Sequence, residues 1–138
     1  RVLFRSRLMA EREQLSVVED QIGTPTWARG LAMTCWGLAD HDGASGIYHW
    51  SDAGACSWYD FATAIREIAL ELGLLRQAAT LLPIPASQYP TSAQRPAYSV
   101  LDKTLTRNLL GHSGHHWASQ LRAMLIDLQQ YQQQHEKH

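Results

Sequence analysis

Arg95 is the residue of this chain best placed to grip a charged ligand. It lies in QRPAYSVLD, a loop stiffened by Pro96, rather than on a helix face. A planar guanidinium can hold a phosphate or diphosphate through two parallel hydrogen bonds. A second group of candidates sits in DQIGTPTWARGLA, from Asp20 to Ala32. There Gln21, Thr24 and Thr26 offer donors and acceptors in a loop, where binding groups concentrate. Trp27 has an apolar face large enough to cover a sugar or a base. Tyr89, in YPT, either lines the same site or closes a turn. The others also have plain structural readings: Arg95 packing on Tyr98, Thr26 capping a helix, Trp27 wedged into a core.

Other groups suggest chemistry and fail on spacing. The residues four positions after Tyr48, Tyr59, Tyr89, Tyr98 and Tyr131 are Asp52, Thr63, Ala93, Asp102 and His135, so the 138 residues contain no Tyr-x-x-x-Lys pair. They contain no Gly-rich dinucleotide loop either. His112, His115 and His116 fall in HSGHH, which is not the i, i+4 helical pair of a zinc site, and read as a solvated turn. Ser51 and Asp52 are not set in a nucleophile turn. Cys35 and Cys56 read as two free thiols. The net charge of −1 gives no pull toward nucleic acid or an anionic membrane. No apolar run is long enough to span a bilayer.

The elements that position these residues read as an α/β alternation. Leu8–Gln14 has the composition of a helix end, and Leu15–Val18 that of a strand. Gly23, Thr24, Pro25 and Thr26 form a break, with Thr26 as N-cap of a helix from Trp27 to Ala39. The periodicity of that helix turns Leu31, Thr34, Cys35 and Leu38 to one side. Gly46–Trp50 reads as a strand and Ser51–Ala55 as a loop. Ser57, with Asp60 three residues on, starts a helix whose face is Phe61, Ala64, Ile65, Ile68 and Leu72, stopping at Gly73. Leu81–Ile84 is a short or edge strand, bounded by prolines. Asp102 caps a short helix ending near Gly111. A last helix buries Trp117, Leu121, Met124, Leu125 and Leu128. Residues 129–138 are polar all round and are expected to fray, and residues 1–6 (RVLFRS) read as a non-native tail.

With DQIGTPTWARGLA, YPTSAQRPAYSVLD and IYHWSDAGACSWYDFA in place, the chain resembles the C-terminal part of an extended short-chain dehydrogenase/reductase, over roughly Leu8 to Leu128. The resemblance implies an NAD(P)-binding Rossmann-type fold, of which this chain forms the last part together with the substrate lobe. It implies an NADPH-dependent, cytoplasmic reductase of a dTDP-linked keto sugar, dTDP-4-dehydro-L-rhamnose, in cell-surface polysaccharide synthesis. NADPH would be held mainly by residues outside this chain, and the full-length protein could form a homodimer. On that reading Arg95 reaches the diphosphate, while Gln21, Thr24, Thr26, Trp27 and Tyr89 line the substrate pocket. The catalytic Tyr and Lys are absent here, so the chain alone is expected to be inactive. Some members of the family hold Mg²⁺ between subunits through carboxylates; one of these matches Arg29, whose charge would repel a cation. A non-catalytic nucleotide-sugar-binding or regulatory subunit of the same fold is the alternative.

Overall fold

The computed structural model describes residues 8–89 and 91–135. The expected tail at 1–6 lies outside them. A helical turn at 8–11 leads into strand β1, Gln14–Val18. This strand pairs in parallel with β4, Thr80–Ile84, in a register running from Gln14 opposite Thr80 to Val18 opposite Ile84. Pro83 lies opposite Val17. It has no N–H to donate, a loss tolerated on an edge strand.

Helix α2, Trp58–Glu71, packs against both strands. Its start is set as the sequence predicts. Ser57 Oγ accepts from the Asp60 N–H at 3.0 Å, and the Asp60 carboxylate accepts from the Ser57 N–H at 2.9 Å. These reciprocal bonds satisfy two amides that a bare helix end would leave open. Past the C-cap, Gly73 has φ +71°, which only glycine adopts without strain. The buried core joins Phe61, Ala62, Ile65 and Ala69 of α2 to Met9, and to Leu121 and Leu125 of the last helix, α4, Trp117–His135.

A second small ladder lies beside this core. Strand β2, Ile22–Gly23, runs antiparallel to β3, Cys56–Ser57, and Ile22 also bridges Tyr98 in parallel. The architecture is therefore mixed α/β, with short strands in two separate pairs.

Helix α1 spans Ala28–Ala39 and corrects the expected orientation. Thr34 is buried and Leu38 half-buried, but Leu31 is 42% exposed and Cys35 is exposed. Met33 and Trp36 face outward as well. The reason is that α1 lies on its smallest residues. A Cβ at Gly30 would meet the Gln120 side chain at 3.2 Å, and one at Gly37 would meet Leu110 at 3.3 Å. Gly30, Thr34 and Gly37 thus form the contact stripe at i, i+4, i+7. The helical period is as predicted, rotated away from the larger apolar side chains.

Thr26 does not cap α1. The N-cap is Trp27, without a side-chain cap of its own, and the Thr26 hydroxyl donates to the Thr24 carbonyl at 3.2 Å. The strand expected at Gly46–Trp50 is also absent: residues 47–50 are irregular. The carbonyl of His49 is taken instead by the buried Thr106 hydroxyl at 2.6 Å. Trp50 packs edge-on to His112, with centroids 5.4 Å apart. Side-chain bonding thus replaces a ladder here.

Helix α3, Thr104–Leu110, ends at Gly111 in the left-handed region. Its first amide, Thr104 N–H, donates to the Asp102 carboxylate at 2.9 Å. Helix α4 runs from Trp117 to His135 and does not stop at Leu128. Glutamine is a good helix former, and Gln129 ties the extension down by donating to the Leu72 carbonyl at 2.6 Å.

Candidate functional site

The six candidate residues do not share one site. Gln21, Tyr89 and Arg95 line one cavity of about 460 Å³. Its floor is mostly apolar, made by Leu15, Val17 and Val18 of β1, with Ser16 among them, and by Trp58 and Ala62 at the start of α2. Gln21, Tyr89, Thr91 and Arg95 give it a polar lining.

Local structure explains why these residues meet. The parallel β1–β4 pair brings the chain ends after Val18 and after Ile84 to the same edge. Asp20 then bonds the far loop: its carboxylate accepts from the Ala86 N–H at 2.8 Å. A short 3₁₀ turn at Ala86–Gln88 presents Tyr89, which is half exposed. The return segment is stitched to β2. Ile22 N–H donates to the Ala97 carbonyl at 2.7 Å, and Ser99 N–H donates to the Ile22 carbonyl at 2.9 Å. Arg95, two residues before Ala97, is thereby held near Gln21, and it is exposed.

Thr26 and Trp27 belong elsewhere. They line a second cavity of about 240 Å³ between α1 and α4, with Asp52, Phe61, Trp117 and Gln120. The Trp27 ring carries the Arg29 guanidinium at 5.4 Å, and Arg29 pairs with Asp127 of α4 at 3.2 Å. Thr24 lines neither cavity; its hydroxyl donates to the Gly54 carbonyl at 2.8 Å. These three are thus separated from the Arg95 cavity.

The sequence reading missed a buried polar knot behind the loop. Asp52, 2% exposed, accepts from the Trp27 N–H at 3.0 Å, placing a carboxylate at the N-terminus of α1. Burial pushes its pKa up, while the Trp27 amide, His115, Lys103 and Gln120 pull it back. Lys103, also buried, donates to Ser51 Oγ and to the Asp52 carbonyl, both at 2.9 Å. Burial and the nearby Arg107 lower its pKa, opposed by Asp52. Nothing in the local pattern marked Lys103, since lysine is almost never fully buried without a partner. Trp58, the first residue of α2, has two roles. It sits edge-on to Phe61, and it also contributes to the floor of the first cavity.

Chemically, the first cavity offers a guanidinium, an amide, a phenol and apolar ring surface. That set suits a ligand with an anionic group at one end and a flat or sugar-like body at the other. Among the described residues, no cluster of His, Cys, Asp and Glu could hold a metal ion, and no helix is long and apolar enough to cross a membrane.

Residues 2–130 match the RmlD substrate binding domain family. The chain is 40% identical over 119 residues to the spore coat polysaccharide biosynthesis protein SpsK of Bacillus subtilis, covering 86% of this chain and 39% of that protein. It is 42% identical over 119 residues to a dTDP-4-dehydrorhamnose reductase of Burkholderia thailandensis, covering 76% of this chain and 39% of the relative. The crystal structure of the dTDP-4-dehydrorhamnose reductase of Bacillus anthracis in complex with NADP superposes with a TM-score of 0.78 at 32% identity, over 91% of this chain and 42% of that one. The chain thus spans about two fifths of the length of the relatives it matches.

Proposed function

The chain belongs to the RmlD substrate binding domain family, and from that premise we propose that it is the sugar-nucleotide-binding portion of a dTDP-4-dehydrorhamnose reductase. The parent enzyme reduces the 4-keto group of dTDP-4-dehydro-L-rhamnose to give dTDP-L-rhamnose, in the cytoplasm, with NADPH as hydride donor. The 138 residues have neither a Gly-rich turn nor a Tyr-x-x-x-Lys pair, so no residue here is assigned to the cofactor or to proton transfer. Residues outside this sequence supply both, and the full-length protein is a homodimer. Arg29 is engaged with Asp127, and the reading includes no Mg²⁺ at that position.

The observation that carries the reading is the convergence of Gln21, Tyr89 and Arg95 on one cavity with a mostly apolar floor. Arg95 grips the diphosphate, Gln21 bonds a sugar or base edge, and Tyr89 and Trp58 give ring surface to the body of the ligand. Thr24, Thr26 and Trp27 shape the loop that carries Gln21.

Calorimetric titration of the chain with dTDP tests this. Saturable binding is expected, with Arg95→Ala weakening it roughly ten- to hundredfold, the usual worth of a hydrogen bond to a charged group. Equal binding by the variant, or none by the natural chain, would count against the assignment. No NADPH oxidation by the chain alone is expected.

A further inference from the structure

We propose that Lys103 is a positioning residue, which locks the Arg95-bearing segment to the Gln21–Trp27 loop through Ser51 and Asp52. The inference rests on the reading of the Arg95 cavity given above. It concerns a side chain that lines neither cavity.

The loop from Gln21 to Trp27 is held at both ends, and between them by the β2–β3 ladder and by the Thr24 hydroxyl on the Gly54 carbonyl. At its start, Ile22 is bonded to Ala97 and Ser99 through both its N–H and its carbonyl, and Ser99 Oγ adds a donor to the same carbonyl at 3.1 Å. At its finish, the Trp27 N–H is bonded to the Asp52 carboxylate, and the Asp52 N–H lies 3.4 Å from the Thr26 hydroxyl that accepts it. The first hold connects the loop directly to the segment that follows Arg95. The second connects it only to Ser51–Asp52. Lys103 closes the circuit. It lies four residues past Ser99 on the Arg95 segment, and its ammonium donates to both Ser51 Oγ and the Asp52 carbonyl.

The circuit is buried at that point. Ser51 is 5% exposed, Asp52 2% and Lys103 6%. A buried ammonium with two short bonds holds one geometry, because moving it would strand a charge away from water. The charges that act on it are Arg107 and Asp52, and His115 and the Gln120 amide in turn act on the Asp52 carboxylate. Lys103 therefore fixes the relation between the segment that carries Arg95 and the loop that carries Gln21, and lines neither cavity itself.

The test is site-resolved amide hydrogen exchange on the full chain, with dTDP affinity measured alongside. Lys103→Met keeps the stem and removes the charge. It is expected to speed exchange of the Trp27 and Ile22 amides about tenfold, to leave the Ile65 and Leu125 amides unchanged, and to weaken dTDP binding about tenfold. Ser51→Ala removes one acceptor and is expected to act in the same direction, less strongly; it decides the matter if Lys103→Met does not fold. Unchanged exchange at Trp27 and Ile22 overturns the proposal, as does a rise shared equally by Ile65 and Leu125. If the natural chain does not bind dTDP, the reading of the cavity fails while exchange still judges the lock. If dTDP binds the natural chain and Lys103→Met equally, the lock fails and the cavity stands.

Discussion

Leu125 and Leu31 are both leucines on an apolar helical stripe, and the structure assigns them opposite weights. Leu125 of α4 is fully buried against α2, whereas Leu31 of α1 is 42% exposed. Truncating Leu125 to alanine removes three carbons, worth about 2.4 kcal/mol of transfer at roughly 0.8 kcal/mol each. The cavity left between two helices adds to this, giving a total of about 3 kcal/mol, within the usual range for buried leucines. Leu31→Ala removes the same carbons from a site already largely wet, and alanine is the better helix former, so the expected cost is roughly 1 kcal/mol or less. Urea unfolding of the 138-residue chain, followed by circular dichroism, measures both. The midpoint should fall about three times further for Leu125→Ala, with similar slopes for the two variants. Equal losses would mean that α1 turns its large apolar residues inward, which would refute the packing on Gly30, Thr34 and Gly37.

The capping box and the thiols give two further tests. Ser57→Ala removes the hydroxyl that accepts the Asp60 N–H and should cost about 1 kcal/mol in the same urea assay; no loss would argue against the cap. Exposed Cys35 should react with a thiol reagent in the native chain, while Cys56 reacts only after unfolding, as peptide mass mapping would show. Burial, with Asp60 nearby, pushes the Cys56 thiol from 9.0 up to about 11. A folded value above the unfolded one means that stability is fully present below pH 9 and is lost as the pH rises toward 11. Cys56→Ala should flatten that alkaline fall, and an unchanged slope would exclude the thiol as its source.

Much of α2 was legible because its signals are local. The Ser57–Asp60 spacing and the stripe through Phe61 and Ile65 lie within one helix, and each reports on the other. Strands β1 and β4 were both legible from short β-prone runs, but their pairing was not: the register of Gln14 with Thr80 depends on contacts far apart in sequence. The failed strand at Gly46–Trp50 shows the same limit, since its composition is compatible with a ladder and, among the described residues, no strand pairs with it. At the site, Gln21 and Arg95 could be marked by residue type and loop context. That Thr26 and Trp27 face a different cavity could not be, because consecutive loop residues point apart once β2 is bonded on both sides. Lys103 was hidden for a further reason. Sequence reads a lysine as solvated, and only the arrangement of Ser51 and Asp52 makes its burial tolerable.

The most direct test of the central claim is a map of dTDP contacts by NMR, following backbone amide shifts of the labelled chain through a titration. The account predicts saturating changes confined to β1 from Ser16 onward, to Gln21, to Trp58 and Ala62 at the start of α2, and to Ala86, Tyr89, Thr91 and Arg95. Changes centred instead on Trp27, Trp117 and Gln120, or no change at any concentration, would contradict it.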